Sequence, residues 1–287
     1  MRISSAAHMK KCSSNKEKHM KNKVKPTYSK EHSAYLKKQK RKKLIIILSR
    51  CLILAFILGV WELFAQLKVF NPFITSSPSR VCATIASLYS DGTLFYHIGI
   101  TLMETIVGFI LAVVLGYAVA VILWASDSIR KILEPYIVVL NSLPKIALGP
   151  LIIIWIGTGY DAIIFMTVLV SIIVCIMNML SGFIAVDKTK LTLMRAMGAS
   201  KFTTLRKLII PASLPALMNT LKVAVGLAWI GSIMGEYIVS KAGLGYLIVY
   251  GGQVFKLDLV MTATFILCLL AGGMYGIIAL VEKKVVK

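Results

Sequence analysis

Residues 162–186, AIIFMTVLVSIIVCIMNMLSGFIAV, run for 25 positions without a charge, and residues 187–207, DKTKLTLMRAMGASKFTTLRK, follow them with six Lys and Arg. About 20 apolar residues cross ~30 Å of hydrocarbon as a helix, so the first stretch reads as a membrane span. The second is too polar to span and too regular to be plain loop. A greasy span that gives way to a basic amphipathic insert sets the class of the whole chain, and the flanking sequence repeats the first half of that pattern.

Upstream, 44–65 (LIIILSRCLILAFILGVWELFA) makes a first span, interrupted by Arg50 and Glu62 near its two ends, where long side chains reach the interface. A cleaved signal peptide is the alternative. A basic region of 43 residues ahead of it and an apolar run beyond the usual 7–15 favour a retained helix. Residues 66–97 are polar, with Pro72, Pro78, a Ser79 suited to cap a short amphipathic helix, and an Asp91-Gly92 turn. A second span runs from Ile98 to Trp124. A third, Ile132 to Ile156, contains Pro135, Pro144 and Pro150 and is expected to break near Pro144, because a mid-helix proline removes a backbone hydrogen bond. Downstream of the insert come a fifth span from Ala212 to about Gly235 and a sixth from Leu259 to Val281. Between them, GEYIVSKAGLGYLIVYGGQVFKLD is too polar and Gly-rich to span alone. The expected fold class is an all-α integral membrane protein with six transmembrane helices: a tail 1–43, a first helix 44–65, an extracytoplasmic segment 66–97 and a core 98–287 of five spans.

Composition agrees. The chain is 57% apolar and 16% charged, against about 45–50% and about 25% in soluble domains, yet its net charge is +21. Five scattered cysteines, Cys12, Cys51, Cys82, Cys175 and Cys268, form no C-x-x-C pair. A secreted disulfide scaffold, a collagen, a disordered chain and a soluble enzyme with one large core are excluded. The surplus charge is placed unevenly. Residues 1–43 hold 15 Lys and Arg against Glu17 and Glu31. With the N-terminus inside, 26 cationic residues fall on the cytoplasmic side and four, Lys68, Arg80, Lys241 and Lys256, outside. The positive-inside rule therefore puts both termini and the 187–207 insert in the cytoplasm, in a multi-pass protein of the cell membrane. The tail reads as a disordered arm on anionic membrane lipid, not as a nucleic-acid binder, since it has one aromatic pair, Tyr28 and Tyr35, and no binding motif.

Within the insert, Leu191, Met194 and Met197 recur every three residues and line one face of a short helix. Gly198 ends it by allowing a left-handed backbone, and Ser200 caps a second short helix that presents Phe202, Leu205 and Ile209 and stops before Pro211. Two short helices joined by a glycine elbow suit either an interfacial element in lipid headgroups or docking onto a cytoplasmic partner.

The stretch MRAMGASKFTTLRKLIIPASLP resembles the EAA signature of ATP-binding cassette (ABC) importer permeases, matching it at Gly198, Ala199, Ser200 and Pro211. TLMETIVGFILAVVLGYAVAV, NSLPKIALGPLIIIWIGTG and GEYIVSKAGLGYLIVYG are similar to successive blocks of the branch serving nitrate, taurine, aliphatic sulfonates and thiamine-precursor pyrimidines. The resemblance covers about residue 71 to the C-terminus. It implies a type I importer permease-like core whose insert forms cytoplasmic coupling helices, with ATPase contacts at Thr192, Met194, Arg195, Ala196, Met197, Gly198, Ala199, Ser200, Phe202 and Pro211. It also implies an ABC ATPase that binds ATP and magnesium, an extracytoplasmic solute-binding protein and a second permease copy, most simply a homodimer. Two positions depart from the pattern: Thr192, Leu193 and Met194 stand where the signature has Glu-Ala-Ala, and Glu104 stands where relatives often have Arg.

The chain itself has no G-x-x-x-x-G-K-[ST] loop, and GLGYLI lacks the third glycine and the strand of a dinucleotide fingerprint. No cofactor is expected on it, and it reads as a transport subunit and not an enzyme. A charge at mid-membrane costs at least about 2.5–3.5 kcal/mol, so Glu104, Lys145 and Lys222 must face protein or water. With Asn141, Ser142 and Glu236 they are the candidates for a translocation path; interhelical pairing is the alternative for the three charges, and Glu236, just before the outer loop, suits a gate or a structural role at a helix end. The expected solute is small and anionic or heteroaromatic. An ion-gradient-driven secondary transporter is the alternative from another class, although the paired broken helices and inverted repeats of such carriers are not visible.

Overall fold

Hydrocarbon offers no hydrogen-bond partner to a backbone, so each apolar run must satisfy its own N–H and C=O groups as a helix. The structure, a computed structural model that describes residues 30–67 and 76–286, follows that rule, and every regular element among the described residues is helical. In chain order these are α1 (Lys30–Gln66), α2 (Pro78–Ser90), α3 (Leu94–Ala125), α4 (Asp127–Ser142), a 3-10 turn (Lys145–Leu148), α5 (Gly149–Ile156) and α6 (Tyr160–Ile184). There follow α7 (Lys188–Ala196), α8 (Lys201–Thr204), a π-turn (Leu205–Ile209), α9 (Ile210–Val239), α10 (Leu244–Gln253) and α11 (Leu257–Val285).

Five helices are long and apolar enough to cross a membrane, and the pair α4 and the 145–156 segment, bent by 84°, makes a sixth if counted as one span. The break falls at Leu143-Pro144 as the proline demands: Leu143 is extended, and α4 ends at Ser142. Several boundaries differ from the sequence expectation. Helix α1 begins at Lys30, so the last part of the 1–43 tail is helical; residues 1–29, and with them most of the tail, lie outside the described residues, as do Lys68 and Pro72. Ser77, not Ser79, caps α2, accepting from the Arg80 N–H with Pro78 in the first turn. Ser79 instead donates its hydroxyl and its N–H to Glu62, so that carboxylate is anchored to protein.

The largest correction concerns Pro211. The second helix of the insert does not stop before it: residues Lys201–Val239 form one continuous 39-residue helix. A proline in a regular helix clashes with the carbonyl four residues back. The π-turn at Leu205–Ile209, in which the Ile210 N–H reaches the Leu205 carbonyl, widens the ladder just ahead of the ring and lets the helix pass.

Helix α6 is the buried centre, packed between α3 and α9. Small residues make that approach possible. Gly108 of α3 and Gly231 of α9 both abut Thr167, and a Cβ added at Gly231 would lie 2.6 Å from the Thr167 Cα. Cys175, Met179 and Phe183 of α6 form a core with Ala120, Ile209 and Ala224, which reaches down to the insert. A second core joins Trp229, Leu244, Leu247, Ala263 and Leu267 across α9, α10 and α11. By contrast α4 buries no residue, and its Ile132, Tyr136 and Val139 stand exposed.

Candidate functional site

Asp187 opens the insert by accepting from the Thr189 N–H at 2.8 Å, the side-chain cap that starts α7. The helix closes with Gly198 at φ +73°, so that the Gly198 N–H reaches the Arg195 carbonyl and the Ala199 N–H the Met194 carbonyl. Ser200 then accepts from the Thr203 N–H and starts α8. The N–H groups of Met197, Gly198 and Ala199 are thus met within the insert, and the Gly-Ala-Ser run sets the turn. Lys201 donates to the Ala125 carbonyl at the end of α3, which ties the elbow to the bundle. Leu191 and Met194 are half-buried, Leu191 against the α6 core. Ile209 is sealed, but Leu193, Met197 and Phe202 are 60%, 74% and 71% exposed. The apolar stripe is therefore split: part anchors the insert and part points outward, with Leu193 joining the exposed set although its spacing placed it elsewhere. Thr192 is exposed and its hydroxyl donates to the Lys188 carbonyl; Arg195, Ala196, Gly198, Ser200 and Pro211 are exposed as well, and Ala199 is half-buried. Beside the elbow lies a cavity of about 590 Å³ lined by Arg130, Lys188, Thr192, Arg195 and Lys201.

The polar candidates of the spans separate into three places. Lys222 is ion-paired at 2.5 Å with Glu282 near the end of α11. Asn141, Ser142 and Lys145 gather at the broken span: Lys145 Nζ donates to the freed Asn141 carbonyl at 3.1 Å, Ser142 to the Val138 carbonyl, and the Asn141 and Ser142 side chains are exposed. Glu236 and Glu104 are fully buried and lie close enough to interact with each other. Glu104 thus meets a second carboxylate, not the opposite charge expected of a structural pair. Glu236 also caps α10: its Oε2 accepts from the Gly245 N–H at 2.6 Å and the Tyr246 N–H at 3.2 Å. The neighbouring N–H groups of Leu244 and Gly243 go to Thr101 Oγ1 and His97 Nδ1 of α3. Four donors at a helix start are satisfied by three side chains from two other helices.

The family described as the inner membrane component of binding-protein-dependent transport systems matches residues 108–287, which include the elbow and Glu236 but not Glu104. The chain belongs to that family. A probable ABC transporter permease protein of Haemophilus influenzae is 31% identical over 224 residues, 78% of this chain and 90% of that one. The taurine transport system permease protein TauC of Escherichia coli is 26% identical over 223 residues, 76% and 81% of the two chains. Among solved structures, the MetNI methionine ABC transporter in an inward-facing conformation superposes with a TM-score of 0.62 at 20% identity, covering 68% of this chain and 97% of that one, a likeness of fold. This permease is therefore a multi-pass membrane subunit of an ABC importer, a transport protein that works with an ATPase and a solute-binding protein; nothing favours a secondary transporter.

The Gly198 turn and the Ser200 cap stand where the sequence spacing puts them, whereas the run of the second helix through Pro211 and the partners that lie far along the chain do not follow from it. Glu282, Thr101, His97 and the Thr105–Ser232 hydroxyl pair at 2.7 Å carry no local signal. For Glu282 a hint existed, because a lone Lys222 inside a span requires an acid somewhere within reach.

Proposed function

We propose that two copies of this permease enclose a path for a small anionic or heteroaromatic solute and that residues 187–207 dock in a cleft of the ATPase. ATP and magnesium are held by that ATPase, and its closure moves the elbow and switches the bundle between outward and inward access. The observation that carries this reading is the elbow: a backbone locked by Gly198, Ser200 and Asp187 presents Leu193, Met197 and Phe202 to solvent. Exposed apolar area costs about 25 cal/mol per Å², and a rigid helix end with apolar knobs is the form that fills a groove on a partner. Arg130, Lys188, Arg195 and Lys201 around it supply positive charge for an acidic rim. The excess of Lys and Arg supports a cytoplasmic elbow and termini, with the solute-binding protein meeting the opposite face. The exposed apolar side of α4 supports a second copy there, with Asn141, Ser142 and Lys145 at the broken span turned to the path between copies. The taurine permease among its relatives supports a sulfonate-like solute.

Co-purification tests the assignment. The wild-type permease should retain its ATPase, whereas Gly198→Pro, which cannot adopt φ +73°, and Ala199→Glu should release it while the permease still folds. Solute flux by the permease alone, driven by an ion gradient without any ATPase, overturns it.

A further inference from the structure

Helix α3 ends beside the elbow; where it begins, the turn Val254-Phe255-Lys256 joins α10 to α11 and borders a cavity of about 620 Å³. The backbone of that turn is held in one form. The Phe255 N–H reaches the Gly252 carbonyl and the Lys256 N–H the Gly251 carbonyl, the paired bonds that close a helix through one left-handed residue. Glycine ordinarily fills that position, because a Cβ there crowds the following carbonyl. Here it is Phe255, at φ +58° the only non-glycine residue with a positive φ among the described residues, and its ring is 68% exposed. Its neighbour is out of place as well. Lys256 stands at the N-cap of α11, where Ser, Thr, Asp or Asn would supply an acceptor and where a cation faces the positive end of the helix dipole. Two adjacent residues therefore break the local rule in a turn that Gly and Asp would stabilise, and such violations collect at functional sites.

Both residues line the cavity, and no acid is ion-paired with Lys256 among the described residues. Much of the remaining wall is polar: Asp91, and Arg80 paired with Asp258 at 2.9 Å, suit water or protein there and not acyl chains. His97 and Tyr246, stacked with ring centroids 6.2 Å apart, complete it. Both serve the start of α10, since His97 Nδ1 accepts from the Gly243 N–H, and the Tyr246 N–H is held by Glu236 near the head of the Lys201–Val239 helix. A segment seated in the cavity therefore bears on α10 and, through Glu236, on the helix whose other end is the elbow. We propose that the extracytoplasmic solute-binding protein engages the permease at this turn and cavity, with Phe255 filling an apolar socket on that protein and Lys256 meeting a carboxylate beside the socket. The proposal rests on the reading of the chain as an importer permease with its elbow inside, which puts Lys256 on the outer face. It adds the residues that grip and the route by which docking outside reaches the elbow.

The test uses the purified permease–ATPase complex in lipid nanodiscs with the solute-loaded binding protein of the same importer. It reads the concentration of binding protein that half-stimulates ATP hydrolysis, and the thermal midpoint of the permease. Phe255→Gly restores the residue that the turn favours and Lys256→Asp one that the cap favours, so neither should lower the midpoint. Each should nonetheless raise the half-stimulating concentration about tenfold, as loss of an interface anchor or reversal of a facing charge does. Phe255→Tyr keeps the aromatic knob and should dock like the wild type. A wild type that is stimulated, with both Phe255→Gly and Lys256→Asp stimulated at the same concentration, overturns the assignment of the turn and leaves the importer reading standing. So does a lowered midpoint with docking unchanged, since Phe255 and Lys256 would then serve the fold or anchor the turn in outer-leaflet headgroups. A wild-type complex whose ATP hydrolysis the binding protein does not raise sinks the importer reading, and the proposal with it.

Discussion

At its first turn the 39-residue helix Lys201–Val239 points Phe202 to solvent, whereas near its last turn it seals the Glu236 carboxylate from it. One end exposes what water rejects and the other hides what water would solvate. The two inversions have different remedies. At the buried end the remedy is inside the chain, because the backbone of α10 presents its open N–H groups to the carboxylate. At the exposed end the described residues hold nothing to cover Phe202, Met197 and Leu193, and in the proposed docking the ATPase supplies the cover. On that proposal, stability and assembly fall to opposite ends of the same element.

Substitutions can break this division. Glu236→Leu removes an acceptor shared by two buried N–H groups and should cost about 3 kcal/mol or more of permease stability, read from thermal unfolding in detergent. Glu236→Gln keeps one acceptor and should recover part of the loss; equal stability of Leu, Gln and wild type would mean that the carboxylate does not hold α10. Phe202→Ala should leave the unfolding midpoint within about 0.5 kcal/mol of wild type, yet weaken ATPase binding by about tenfold, as loss of an interface anchor does. A fall in midpoint with unchanged ATPase binding would reverse the contrast. The smallest effect is expected for Lys222→Met: its pair with Glu282 is partly exposed, so thermal unfolding should register about 1 kcal/mol or less. A larger loss would place that pair in a drier setting than its exposure indicates.

The same contrast governs what could be read from the amino-acid sequence. Runs of apolar residues, the Pro144 break and the Gly198–Ser200 elbow are local: the constraint and the residue that answers it lie within a turn of each other. The outcome at Pro211 was not legible, because a proline normally ends a helix and only the π-turn before it, stabilised by packing of Ile209 in the core, lets the backbone continue. Ser79 suits a cap by its local sequence, but Glu62, far back in the chain, accepts its hydroxyl and N–H, and Ser77 caps α2 instead. Glu104 was recognisable as a costly charge in a span and Glu236 as a gate or helix-end residue, but their mutual approach is decided by how α3 and α9 close on α6, which no periodicity records.

The π-turn has a mechanical meaning. Had Pro211 broken the chain, a push on the elbow would have been absorbed at a hinge. Instead Phe202 and Glu236 sit on one rod, which at ~1.5 Å per residue is about 58 Å long. Tilting that rod at the foot swings its head, and the head carries the mooring of α10. In the proposed coupling, a stroke delivered at the elbow would reach the far end of the bundle along one unbroken helix.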